Sequence, residues 1–192
     1  MIPYPNINEI HYKKPIISQK IAWLTTAKGQ KVANFFIAAQ AKTPIKICQV
    51  HAYNAVYPGT VTVDGCLITY AGKTEYHSKY KILTVTNKNA NNALHWGDVD
   101  LFNSLRWNRN NVDFLGVLPK NSNFDIKKNL PVIGGYESQN PNYLHPLYIC
   151  RTMNAENIVI GKVVNYRCYY ANGNRENNTK TYQILFLQLD NK

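Results

Sequence analysis

A chain of 192 residues, 45% hydrophobic and 12% aromatic, can bury a sizeable core, which argues against an intrinsically disordered chain and fits one domain or two small ones sharing a core. Its 22 Lys and Arg against 11 Asp and Glu give a formal charge of +11, a balance that suits an anionic partner. The cations are dispersed, however: Lys13-Lys14, Lys79 with Lys81, and Lys127-Lys128 are the densest groups, and no basic run of the nucleic-acid-binding kind occurs.

The first segment, residues 1 to 33, opens MIPYPNINEIHYKKP and has no apolar core of a secretory leader. No apolar stretch approaches the roughly eighteen residues of a membrane helix. These features predict a cytoplasmic chain with reduced thiols, non-classical secretion being the other route. Trp23 marks this segment as one that packs on the first half of the chain.

From residue 34 the patterns are β-like. Thr60-Val-Thr-Val63 and Leu67-Ile-Thr-Tyr70 alternate or run apolar and then meet the Ala-Gly of Tyr70-Ala-Gly-Lys73, which reads as a turn. Tyr80-Lys-Ile-Leu-Thr-Val85 is the next strand candidate. Residues 87 to 92 (NKNANN) are a polar loop. Residues 96 to 124 carry Trp96, Phe102, Trp107 and Phe114, too apolar for a linker, and are expected to pack on the second half, with one short helical turn at Asp98 to Arg106. Then come Leu130 to Glu137, Leu147-Tyr-Ile-Cys150, Gly161-Lys-Val-Val164, Cys168-Tyr-Tyr170, a turn at Ala171 to Asn174, and Tyr182 to Gln188. Short strands with turn residues between them predict an antiparallel sandwich or barrel.

The same residues recur along the chain. Cys48 and Cys66 are 18 residues apart, as are Cys150 and Cys168, and the pairs stand 102 residues from each other. In that register Ile47 meets Ile149, Gly59 meets Gly161, Val61 meets Val163, Tyr80 meets Tyr182, and Ile82-Leu83 meets Ile184-Leu185. This is an internal duplication. We expect one pseudo-symmetric domain over 1–192: repeat 1 at about 34–85, a connecting segment at about 86–129, and repeat 2 at about 130–188.

The cysteines allow three readings. Zinc ligands stand about two to four residues apart, and the chain has no CxxC or HxxxH pair, so a metal is not expected. Disulfides within each copy fit neighbouring strands, whereas a reducing compartment favours buried thiols acting as small core residues. Thiols are the expectation.

The five histidines (His11, His51, His77, His95, His145) accompany no nucleophile motif, and no Walker or GxGxxG loop occurs, so neither an enzyme nor a cofactor is expected. Glu75 and Glu176 fall near one place in the two copies, where a carboxylate more often steadies a turn. Glu137 and Lys162 point further. A Gly pair before Glu137 lets backbone approach a ligand closely. A carboxylate and an ammonium can share sugar hydroxyls beside an aromatic face, for which Tyr136, Tyr143 and Tyr148 are candidates. A surface ion pair worth about 0–1 kcal/mol is the plain alternative.

LPVIGGYE, LYICRTMNAENIVIGKVVNYRC and the closing Tyr-Gln-Ile-Leu resemble the DM-nine repeat family, which also occurs in natterin-like proteins. The second copy follows the family pattern nearly throughout, with Ile160 where Pro is usual. The first follows it loosely, through Phe36 to Ala41, Lys46 to Cys48, Tyr57 to Val61 and Tyr80 to Leu83. The resemblance implies an all-β, pseudo-two-fold unit of two intermixed tandem repeats, and for some members a mannose-recognising lectin of invertebrate innate immunity. It implies sugar contacts by Glu137, a longer carboxylate than the usual Asp, and by Lys162; from the residues themselves, Tyr136 and Tyr148 are expected to complete the pocket. The first-copy equivalents, Ala41 and Thr60, carry no charge, which implies at most one such pocket per chain. The second expectation is a structural, self-assembling protein that kept the fold and lost the sugar. A homo-oligomer fits both; binding to nucleic acid or anionic membrane would show itself as steep salt sensitivity.

Overall fold

The computed structural model describes residues 20–86, 92–100, 118–119, 129–140 and 143–188. They form sixteen strands. The first half contains β1 (Ile21–Ala27), β2 (Ile37–Ala39), β3 (Ile45–Ala52), β4 (Ala55–Thr62), β5 (Gly65–Tyr70), β6 (Lys73–His77) and β7 (Lys79–Val85). Next come β8 (Leu94–Asp100), β9 (Leu118–Pro119), β10 (Asn129–Pro131) and β11 (Ile133–Asn140). The chain continues through β12 (Tyr143–Asn154), β13 (Asn157–Val164), β14 (Arg167–Asn172), β15 (Arg175–Thr179) and β16 (Gln183–Gln188).

The expected turns close tight hairpins: β5 turns into β6 at Ala71-Gly72 and β14 into β15 at Gly173-Asn174. The residues that turn the chain at Ala71, Gly72 and Gly173 all have positive φ, as the favoured hairpin turns require. Asp98, where a helical turn is expected, instead belongs to β8, and residues 101 to 106 lie outside the described set. β8 pairs along β16, placing Trp96 opposite Leu185 and burying Leu94 in the shared core. Pairing with a preformed edge outweighs the weak local helical preference.

The strand order is β1-β7-β3-β4-β5-β6-β15-β14-β13-β12-β16-β8-β9. Up to β8 it reads the same from either end once the copies are exchanged, so the fold is an all-β, pseudo-two-fold architecture. The approximate axis passes between β6 and β15, where Lys73 pairs with Arg175, each the duplicate of the other. A second set of pairings closes the sheet. β11 bonds to β12 and also to β4, so β4, β5, β6, β15, β14, β13, β12 and β11 form an eight-stranded antiparallel barrel. The ring takes β4, β5 and β6 from the first copy and β11 to β15 from the second, so neither copy closes it alone.

The seam of that barrel explains Gly134 and Gly135. Both are buried within β11, with no loop there to receive a ligand. A Cβ on Gly135 would sit 1.9 Å from the Val56 carbonyl oxygen, and one on Gly134 would meet Ile149 and Pro58 side chains at 2.6 and 2.7 Å. The close approach that the sequence predicted is real, but its object is β4.

Three clusters make up the core. The shared one joins Ile47, Leu83 and Val85 to their counterparts Ile149, Leu185 and Leu187, with Phe36, Leu94, Val132 and Ile160. A further cluster surrounds each pair of cysteines, with Tyr80 and Ile82 at the first, which Leu147 of the second copy joins, and Tyr182 and Ile184 at the second. In these clusters the cysteines are paired, and the expectation of free thiols is corrected: Cys48–Cys66 and Cys150–Cys168 are disulfides, each with Cα atoms 5.9 Å apart. The bridged strands are not neighbours. β3 and β5 flank β4, and β12 and β14 flank β13, so each bridge crosses an intervening strand. Glycine lies at the crossing: Gly161 is opposite Cys150, and a Cβ there would come 2.1 Å from the Tyr169 carbonyl oxygen and 3.2 Å from Cys168 Sγ. A compartment argument cannot see such a sheet curvature.

His95 on β8 stacks on Phe186, centroids 5.9 Å apart, and burial holds its imidazole below the ordinary histidine range. A depressed folded-state value favours the neutral ring. Its contribution to stability is therefore present above the unfolded value near 6.5 and is lost as pH falls through the lower folded value. Urea midpoints measured from pH 7.5 to 5 should fall less steeply for His95→Phe than for the natural chain. Parallel curves would remove His95 from the acid response.

Candidate functional site

Gly161-Lys162 in β13 directs its lysine into the interior between the copies. Lys162 is 4% exposed, and its Nζ donates to the Thr69 carbonyl oxygen on β5 at 2.8 Å. Glu176 Oε1 on β15 lies 3.2 Å from Nζ, an ion pair more than an aligned hydrogen bond. The ammonium also stands 4.7 Å from the centroid of the Tyr57 ring on β4, within cation–π range. One buried cation thus touches β4, β5 and β15.

Glu176 completes the link. Its Oε2 accepts from Gly72 N at 3.0 Å, and its own N–H donates to Gly72 O at 3.1 Å. The turn-steadying role expected for a repeated carboxylate falls to Glu176, on the turn of the opposite copy. Its counterpart by register is Thr74, whose hydroxyl donates to Gly173 O at 3.1 Å, so the two turns are tied reciprocally about the axis. Thr60, the counterpart of Lys162, pairs with Ile47 as Lys162 pairs with Ile149. With no ammonium it makes no such clamp, and the arrangement is one-sided.

Tyr57 is the hub around which the other predicted groups can be placed. It is 2% exposed, and its hydroxyl pKa is pushed up to about 12, chiefly by burial and then by the charge of Glu137, with smaller parts from Tyr70, Glu176 and Glu75. Glu137 thus acts by its charge on the ring that Lys162 stands against. Glu137 is half-buried on β11 opposite His145, and it makes no hydrogen bond or ion pair among the described residues. Tyr136, beside it, is half-buried at the seam opposite Val56 and Pro146.

Tyr148 lies elsewhere. It pairs with Val163, so its side chain leaves β12 on the face opposite to that of Ile149, the partner of Lys162, and packs against the cluster of the second disulfide. Burial pushes its hydroxyl pKa up to about 12. The side chain of Tyr143 is outside the described set. Sequence reasoning missed Tyr57, Thr69 and Tyr70, and gave Glu176 a turn but not its lysine partner. The first three lie in the copy that follows the repeat pattern loosely, and spacing gives no warning that Tyr57 and Thr69 meet Lys162. No group of three metal-ligating side chains occurs among the described residues.

The barrel and its asymmetric polar centre define a class: an all-β protein made by duplication, with a buried lysine joining the copies. No protein-family model matches the sequence, and no curated protein does. The fold is similar to the crystal structure of the nematode sperm cell motility protein MFP2B, with a TM-score of 0.55 and 10% sequence identity, over 88% of this chain and 47% of that chain. The present chain thus spans about half the length of that neighbour, and the likeness is one of fold.

Proposed function

We propose that this chain is a non-catalytic carbohydrate-recognising protein of the tandem DM-nine type, its ligand a mannose-type glycan. The observation that carries the reading is Glu137, a half-buried carboxylate whose charge reaches Tyr57 and that has no protein partner of its own among the described residues. An acceptor so placed is available for sugar hydroxyls, and leaving it without a partner on burial would otherwise be costly. Lys162 takes a different part from the direct contact implied by the family resemblance. Held by Thr69 and Glu176, it acts as a buried counter-charge that steadies the acidic surroundings of Tyr57. The paired cysteines suit an oxidising compartment, and we place the working site there.

Retention on mannan-agarose should be lost on Glu137→Gln, with the thermal melt unchanged. Equal retention of the two proteins would remove Glu137 from the site.

A second reading is a self-assembling interaction protein. Lys162 favours it, because Thr69, Glu176 and Tyr57 already engage its buried ammonium, and the neighbour of similar fold is named as a motility protein. Sedimentation showing a large oligomer indifferent to added mannan would support this reading over the first.

A further inference from the structure

The β3–β4 hairpin turns on Tyr53 and Asn54, with φ of 52° and 58°. Asn is at home in that conformation, whereas a bulky tyrosine there is strained by about 1–2 kcal/mol. The ring is nevertheless firmly held. It stacks on Tyr70 with centroids 4.3 Å apart and planes at 11°, and its hydroxyl lies 2.9 Å from both oxygens of Glu75. That hydrogen bond keeps the Tyr53 hydroxyl pKa above its ordinary value. Tyr70 in turn meets Tyr57 at 5.3 Å, so the three rings form a row from the solvent to the buried hub.

Core packing does not account for Tyr53, because it remains 56% exposed. Fold symmetry does not account for it either. The counterparts of Tyr53, Tyr70 and Glu75 in the second copy are Ala155, Asn172 and Asn177, which can form neither the stack nor the anchor. The first copy therefore carries an aromatic platform that the fold does not require, held in place by supports of its own.

We propose that Tyr53 is the stacking platform of a glycan site on the first repeat, its ligand a hexopyranose of a mannose-type chain. The inference rests on the carbohydrate reading above and moves the principal contact from the second copy to the first. The negative face of the ring attracts the polarised C–H bonds of a pyranose's apolar face. Glu75 has lone pairs beyond those that meet the Tyr53 hydroxyl and accepts from the sugar's hydroxyls at the platform edge. Glu137 and Glu75 both raise the Tyr57 hydroxyl pKa by their charge, so both carboxylates lie within electrostatic reach of the aromatic row. Anchoring by Glu75 fixes the ring before the ligand arrives, which lowers the ordering cost of binding.

The test compares the natural chain with Tyr53→Asn, Tyr53→Phe and Glu137→Gln, by calorimetric titration with mannotriose and by retention on mannan-agarose. Asn suits the turn's backbone, so Tyr53→Asn should melt as the natural chain does while binding about tenfold more weakly or worse. Tyr53→Phe keeps the ring and loses only the anchor, so it should fall between the two and also covers the case in which the Asn variant misfolds. If Tyr53→Asn and Tyr53→Phe bind like the natural chain while Glu137→Gln does not, the platform is overturned and the carbohydrate reading stands. Absence of mannotriose and mannan binding by the natural chain overturns both.

Discussion

Replacing Lys162 with methionine is expected to destabilise the protein by about 3–5 kcal/mol, the cost of removing one member of a buried ion pair. The size reflects the groups left behind. Glu176 is held in place by its hydrogen bond from Gly72, and its side chain is only 10% exposed, so it cannot swing into water without releasing the turn. Its carboxylate would stay buried without a counter-charge, and the Thr69 carbonyl would lose its donor. Methionine fills most of the same volume, which separates the electrostatic loss from a cavity. In urea the midpoint should drop with an unchanged slope, and the melt should fall by roughly 10 °C for a chain of this size. The double variant Lys162→Met/Glu176→Gln should recover much of the loss, because the unpaired charge is then gone. A Lys162→Met protein as stable as the natural chain would sink the clamp, and with it the account of why the copies interlock at this lysine.

The duplication was legible because it rests on residues that are rare or sterically demanding. The cysteines and Gly59/Gly161 keep one spacing, and the structure shows them working together, with each disulfide crossing the strand that carries the glycine. Lys162 was legible as unusual, since a lysine follows that glycine in one copy only. Its partners were not, because they come from β4, β5 and β15, brought near by barrel closure and unrelated to it in sequence spacing. Gly134-Gly135 shows the same limit. A glycine pair reports that something approaches closely, and only the fold says that it is the Val56 backbone at one glycine and the Ile149 and Pro58 side chains at the other. Tyr53 was hidden for a different reason: a tyrosine in a left-handed turn looks, in sequence, like any other residue between two strands.

Removing either disulfide by paired alanine substitution should cost about 3 kcal/mol from loop closure alone, for loops of 18 residues. All four cysteines are fully buried, so the lost packing adds to that figure. The loops do not overlap in sequence, and each bridge sits in its own cluster, so the two losses should be close to additive. A joint loss of about 6 kcal/mol or more reaches the whole stability of an ordinary domain, about 5–15 kcal/mol, and the fully reduced chain should lie near its unfolding threshold at 37 °C. Calorimetry can separate the terms: Cys48→Ala/Cys66→Ala and Cys150→Ala/Cys168→Ala should melt at similar, lowered temperatures, and the quadruple variant far lower. Because the sulfurs are inaccessible, reductant added to the folded protein should act slowly, whereas the same reductant present during refolding should prevent recovery. A quadruple variant melting with the natural chain would mean that the cores suffice without the bridges, and would return the cysteines to the role of small core residues that their sequence first suggested.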